Sequence, residues 1–180
     1  MSRYTADICR FCAVPPLRDH AVQLIDYRDL TPAQRDRLID IQVQPEQQRY
    51  AGDMAGALYI LHSKDSPDLR GVALLVEAVP RAFLLLQRGA FLAPWARVDA
   101  ATVNALQVDR RLQGRGLGRF CMQALPGLVR DLWPAVRCLQ LSVDPGNHAA
   151  LALYRATGWV DSGDGYRARK GYECQLTLAL

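Results

Sequence analysis

Lysine is nearly missing from this chain: Lys64 and Lys170 are the only two, so the formal charge of +4 is carried almost wholly by arginine. That balance suits a small anionic partner such as a polyphosphate. It is too modest, and too poor in aromatic residues among the basic ones, to point to nucleic acid. No apolar run approaches the roughly 20 residues that cross a bilayer, and the N-terminus lacks a charged-then-apolar leader pattern. The expectation is a soluble, cytoplasmic protein with no membrane partner. Cysteine is odd in number, and of Cys9, Cys12, Cys121, Cys138 and Cys174 three lie in apolar segments, where a free thiol behaves as a small hydrophobe. No disulfide framework is indicated. Cys9 and Cys12 form an isolated C-x-x-C without a second pair or well-spaced histidines, so no metal site is expected.

What is present is apolar substance: half of the 180 residues are hydrophobic, enough to bury one sizeable core. Residues 1–20 read as an N-terminal extension and 21–180 as a single domain. Ala21 to Tyr27 reads as a first strand, and Thr31-Pro32 as an N-cap with proline at the first helical position, opening a helix to about Val43. Pro45 opens a second helical stretch to about Leu61. Gly71 to Val79 and Ala82 to Ala90 are β-compatible runs joined at Pro80-Arg81, and Ala101 to Val108 is a third strand after a linker that could fold over a neighbouring site. From Leu117 the apolar spacing is helical, with a kink expected at Pro126. Leu139 to Val143 is a short buried strand and His148 to Thr157 a helix closed by a left-handed Gly158. Trp159 to Tyr166 and Tyr172 to Leu178 are the last strands. This order predicts an α+β fold, a twisted mixed sheet flanked by helices, with parallel pairing where a helix intervenes.

The segment from Asp109 to Arg119 joins a predicted strand to a predicted helix and contains Gln113, Gly114, Arg115, Gly116, Leu117 and Gly118, a Q-x-x-G-x-G. Glycines let the backbone turn sharply and approach a ligand. The unpaired amides and dipole of a first helical turn favour an anion, so a pyrophosphate fits. Neither the Lys-Ser/Thr pair of a P-loop nor an early dinucleotide strand is present. Arg110, Arg111, Arg115 and Arg119 place four cations around this turn, opposed only by Asp109. With Val108-Asp109 before it, the hexapeptide resembles the cofactor motif of the GNAT superfamily of acyl-CoA dependent N-acetyltransferases.

Further along, Val143 to Trp159 resembles that family's V-x-x-x-N-x-x-A-x-x-L-Y-x-x-x-G-F, with tryptophan for the final phenylalanine. The residues themselves give Asn147 the role of helix N-cap, and Tyr154 that of a core aromatic with a wet hydroxyl. The resemblance adds functions. It implies the GNAT fold, and acetyl-CoA as acyl donor with its pyrophosphate on the amides of Gly114 to Arg119 beside Gln113. It also implies pantetheine contacts from Leu106, Gln107, Val108 and Asn147, and protonation of the departing thiolate by Tyr154. Homodimers are common among such proteins.

The chain departs from the family in one respect. Many relatives carry a glutamate general base on the strand before the cradle, whereas Ala101 to Val108 holds no carboxylate, only Thr102 and Asn104. An ammonium with pKa about 10.4 costs roughly 4.6 kcal/mol to deprotonate at pH 7, so a route for the proton is needed. Asp99, Glu77, Glu46, a water chain or bulk solvent could supply it. Val43 to Gln47 faintly resembles a segment of polyamine-type acetyltransferases, which puts a polyamine-like small amine first among acceptors, ahead of a peptide amine and an aminoglycoside-like drug. The rival readings are a non-catalytic acyl-CoA binding or sensing module and a structural domain without a ligand.

Overall fold

Hydrophobic runs with no polar alternation occupy the middle of the chain, and in the computed structural model they form strands buried on both faces. Residues 21–180 are described, apart from 164, 169 and 170; the N-terminal extension with Cys9 and Cys12 lies outside them. The strands are β1 (Val22–Asp26), β2 (Leu69–Val76), β3 (Val79–Gln87), β4 (Ala100–Val108), β5 (Cys138–Val143), β6 (Val160–Asp161), β7 (Tyr166–Ala168) and β8 (Gly171–Ala179). They make one mixed sheet in the order β1-β2-β3-β4-β5-β8-β6, with β7 paired to β8. All neighbours are antiparallel except β4 and β5; β1–β2 and β5–β8 also have helices between them in sequence and yet pair antiparallel, so the expected parallel pairing across a helix holds for β4 and β5 alone.

Along β2 and β3, Val72, Leu74, Leu84 and Leu86 face one core, which the helices α4 (Leu117–Leu132) and α5 (His148–Arg155) cover. Ala73, Leu75, Phe83 and Leu85 face a second core with Leu38, Met54 and Ala57, contributed by the N-terminal segments. Helix α4 shows Leu117, Cys121, Met122, Leu125 and Val129 to the sheet, a helical spacing, and it continues through Pro126 to Leu132, while Phe120 is exposed. Burial pushes the Cys121 thiol up to about 12, in keeping with a packing role.

Several local expectations need correction. The first helix is α1 (Pro32–Asp36), which tightens into a 3-10 segment at Arg37–Asp40 and stops at Ile41, short of Val43. The second helical stretch is broken. A 3-10 turn at Pro45–Gln47 leads into α2 (Gln48–Ala51), Gly52 then adopts φ 68° and ψ −155°, and Asp53 caps a separate α3 (Met54–Ser63) by accepting from the Gly56 amide at 2.8 Å. That conformation belongs to glycine alone, so the helix cannot run through it. The β2–β3 turn is Glu77-Ala78, both at positive φ (50° and 61°), while Pro80 sits inside β3 opposite Leu75 at a bulge. A bulge spares proline the ladder hydrogen bond it cannot donate. The strand expected from Trp159 to Tyr166 is two short pieces, β6 and β7, each paired to β8.

Two irregularities of β4 position the site. Ala105 has φ 52°, and the register with β3 slips between Phe83↔Gln107 and Leu85↔Asn104, so Ala105 and Leu106 together stand opposite Leu84. The parallel contact with β5 is short: Ala100, Ala101 and Thr102 pair with Cys138, Leu139 and Gln140. Beyond Thr102 the two strands part. The linker before β4 lies at the paired end, with the Arg97 amide bonded to Gln140 Oε1 at 2.8 Å and the Arg137 amide to the Asp99 carbonyl. It does not fold over the parted end.

Candidate active site

Where β4 and β5 separate, a cleft of about 1110 Å³ opens, lined on one side by Val103 to Leu106 and Val108 and on the other by Ser142, Val143 and Asp144. Gln47, Arg49, Tyr50 and Ala51 at α2 form a lip, and Asn147, Leu153 and Tyr154 of the α5 segment form the floor beside the N-terminus of α4. This volume lies just above the roughly 300–1,000 Å³ of drug-sized ligand pockets and leaves room for an extended ligand.

The cradle is fastened by Asp109, whose side chain is fully buried. Its carboxylate takes hydrogen bonds from Arg111 Nε at 2.8 Å and Nη2 at 2.6 Å, and a longer one from Arg81 Nη1 at 3.4 Å. Burial by itself would raise its pKa; the hydrogen bonds from Arg111 and the charges of Arg111 and Arg81 outweigh this and hold the carboxyl below its usual range. Arg111 also donates to the Asp40 carbonyl at 3.1 Å, so this guanidinium is engaged by protein groups although its side chain is exposed. Asp109→Asn should therefore destabilise the fold by about 2–3 kcal/mol in chemical denaturation at pH 7, the partly exposed arginines discounting the cost of a fully buried pair. A depressed folded pKa contributes stability above the unfolded value and loses it as pH falls, so the deficit should fade below the ordinary value of 3.8.

After Asp109 the chain reverses through Gly114 (φ 75°) and Gly116 (φ 87°), the latter being the N-cap of α4. No side chain caps this helix, and its first recurrent bond is Phe120 N to Gly116 O at 2.9 Å. The amides of Leu117, Gly118 and Arg119 thus have no helical acceptor and stand at the cleft. Gly118 lets α5 approach: a Cβ there would lie 3.1 Å from Leu153 Cδ2. Gln113 holds the turn in place, its Nε2 donating to the Val108 carbonyl at 2.9 Å and to Gln47 Oε1 at 2.8 Å.

Asn147 caps α5 by accepting from the Ala150 amide at 3.3 Å, and Gly158 ends that segment at φ 91°. Tyr154 is 8 % exposed and packs against Trp159 with ring centroids 5.8 Å apart. Its hydroxyl makes no hydrogen bond among the described residues, and burial pushes the phenol up to about 12, so it stays protonated throughout the neutral range.

Of the residues singled out in sequence, Leu106, Val108, Gln113, Gly114, Gly116, Leu117, Gly118, Arg119, Asn147 and Tyr154 line this one cleft. Two do not. Gln107 is 1 % exposed and turned to the opposite face, its amide 3.4 Å from the Ala51 carbonyl, because the bulge at Ala105 sets its place in the alternation. Arg115 is exposed outside the cleft, and of the four arginines near the turn Arg119 alone lines it. The expected distant bases stand apart too: Asp99 is paired with Arg97 at 2.9 Å, Glu77 accepts from the Ala21 amide, and Glu46 is exposed. Sequence reasoning missed the acids that do line the cleft, Asp144 and Glu173, along with Arg49 and Tyr50 on the lip. No local motif marks them.

The arrangement offers backbone donors for a diphosphate, a channel between parted strands and a buried neutral phenol. No helix among the described residues is long and apolar enough to cross a membrane. Comparison with solved structures finds the same fold in several proteins. The GNAT domain of S. lividans PAT is 21% identical over 88% of this chain and 90% of its own, with a TM-score of 0.66. The spermidine N-acetyltransferase from Vibrio cholerae, solved with CoA and spermine, is 15% identical over 88% and 95%, with 0.63. The aminoglycoside acetyltransferase AAC(6')-Ib, solved with coenzyme A, is 14% identical over 89% and 94%, with 0.62. A comparison with curated proteins gives no match. The profile of the Acetyltransferase (GNAT) family matches residues 28–159, which run from the turn after β1 to the close of the α5 segment and hold both the cradle and Tyr154, so the chain belongs to the GNAT family of acetyltransferases.

Proposed function

We propose that this chain moves the acetyl group of acetyl-CoA to a primary amine by direct attack within a ternary complex. The observation that carries the reading is the convergence of the uncapped, glycine-flanked N-terminus of α4 and the Tyr154 hydroxyl on a single cleft. Acetyl-CoA fits these residues and supplies an activated thioester. The amides of Leu117 to Arg119 would hold its diphosphate, and the Arg119 guanidinium is placed to meet phosphate charge. Leu106 and Val108, with Asn147 across the gap, would flank its pantetheine arm. Tyr154, neutral at working pH, would donate a hydrogen bond to sulfur as negative charge gathers there.

For the acceptor, two acids in the cleft support a small cationic amine, of the kind the Vibrio cholerae and AAC(6')-Ib proteins are named for, ahead of a peptide. Incubation of the protein with acetyl-CoA and spermidine, kanamycin or a lysine-containing tripeptide should release free thiol with at least one of the two polycations, and faster than with the tripeptide. Firm acetyl-CoA binding without thiol release in any of these mixtures would favour a sensing module instead.

A further inference from the structure

The cleft is charged unevenly, and the reading above gives its acidic side no part in the chemical step. Asp144 and Glu173 are the only two carboxylates lining it among the described residues, and both stand on the β5 and β8 side of the gap, across from the strand that leads into the cradle. The antiparallel register of these strands ends at Val143↔Cys174, one residue short of both acids, so the two stand at the same end of the β5–β8 pair. Two negative charges on one wall of a cleft favour a cationic ligand there. The two are not equivalent. Asp144 Oδ1 accepts the Gly146 amide at 2.7 Å and shapes the turn into α5. Glu173 is half-buried, and its side chain has no hydrogen bond or ion pair among the described residues. Meanwhile β4 carries no acid, and the amide of its Asn104 donates to Gln87 Oε1 at 2.9 Å. A half-buried carboxylate that lines the cleft without a partner among the described residues is open to a charge-assisted hydrogen bond from a cationic amine.

We infer that Glu173 is the acceptor-side catalytic residue: it receives the ammonium group of the incoming amine and takes the proton that nitrogen gives up as the amide forms. The inference rests on the acetyl transfer proposed above and assigns the base which that reaction lacks. An acceptor arriving as an ammonium first loses one proton to solvent. The nitrogen lone pair forms the C–N bond while the C–S bond breaks and its electron pair stays on sulfur. The surplus proton on nitrogen passes to the Glu173 carboxylate, and the Tyr154 hydroxyl gives its proton to the thiolate. Water returns the proton from Glu173 to Tyr154, so neutral amine and thioester become amide and thiol with no further proton change, and the one proton released overall is the one the ammonium gave to solvent.

The test uses the full chain and whichever of spermidine, kanamycin or the tripeptide is turned over fastest. In Glu173→Gln, kcat/KM for that amine should fall about 10²-fold, the usual worth of a positioned proton acceptor. Acetyl-CoA affinity by calorimetry should stay within about twofold and the thermal midpoint should hold, since both lie with the cradle and cores. In Glu173→Ala, added formate should restore part of the rate at saturating amine, which a side chain of only structural importance would not permit. An amine kcat/KM within about threefold of the parent in Glu173→Gln overturns the inference, as does a loss that formate leaves untouched. If the parent protein releases no thiol with any of the three, the transferase reading itself fails and Glu173 falls with it; the parent measurement separates that result from the first two.

Discussion

Tyr154→Phe should reduce kcat by about 10²-fold while leaving the KM values for both substrates within about threefold. The change removes a hydroxyl that has no hydrogen-bond partner among the described residues and keeps the ring against Trp159, so the fold should lose little. The size of the effect follows from the environment. With the phenol at about 12 and a free thiol near 8.5, full proton transfer would be uphill by about 3.5 pKa units, roughly 4.8 kcal/mol. A sulfur expelled into the same low-dielectric cleft is itself a stronger base than in water, which narrows the gap, and a hydrogen bond that strengthens as charge develops covers part of the rest. Because the raised pKa keeps Tyr154 protonated, ionisation of this group should not depress the rate below about pH 10. Steady-state kinetics on the two proteins from neutral to alkaline pH would check both statements. An unchanged kcat would remove Tyr154 from the chemistry.

Gly116→Val should weaken acetyl-CoA binding by about 10²-fold or more, the largest effect expected at the cofactor end. A β-branched residue at φ 87° carries strain of roughly 1–2 kcal/mol. The backbone relieves that strain by moving to negative φ, which rotates the amides of Leu117, Gly118 and Arg119 away from their common focus, so affinity is lost. Gly114→Asn provides the contrast. Gly114 also has positive φ, at 75°, but nothing lies within 4 Å of a Cβ there, and asparagine tolerates the left-handed region. Its affinity should stay within about threefold. Calorimetric titration of acetyl-CoA into both variants distinguishes a loss specific to the helix N-terminus from general sensitivity of the loop.

The chemistry that could be read from the sequence is the part that is local along the chain. The cradle and the stretch from Val143 to Trp159 take their places within a few residues of backbone, so spacing alone carries them to the elements the structure shows. Helical periodicity likewise places the buried face of α4. The misreadings have a different origin. Glu77 and Ala78 make a tight turn without the glycine or asparagine that usually announces one, and the proline at position 80 is the louder signal. Gly52 and Asp53 do carry a stop and a start, but apolar periodicity on either side hides them. The orientation of Gln107 depends on one extra residue in β4, which decides which side chains face the gap. Arg111 is indistinguishable in sequence from its three basic neighbours, and only the burial of Asp109 beneath it sets it apart. Glu173 is remote along the chain from the cradle; β8 returns beside β5, and strand order, invisible in one dimension, brings it to the cleft.

The short seam between β4 and β5 has a mechanical consequence. Three residue pairs join the sheet's two halves there, while each half is internally zipped along longer ladders. Such a body resembles a clothes peg more than a plate: stiff jaws, a narrow spring, and a mouth whose width responds to whatever is placed between them. A coenzyme lodged in that mouth would tie jaw to jaw, and amide hydrogen exchange along Val103 to Val108 and Leu141 to Val143 should slow together when it enters.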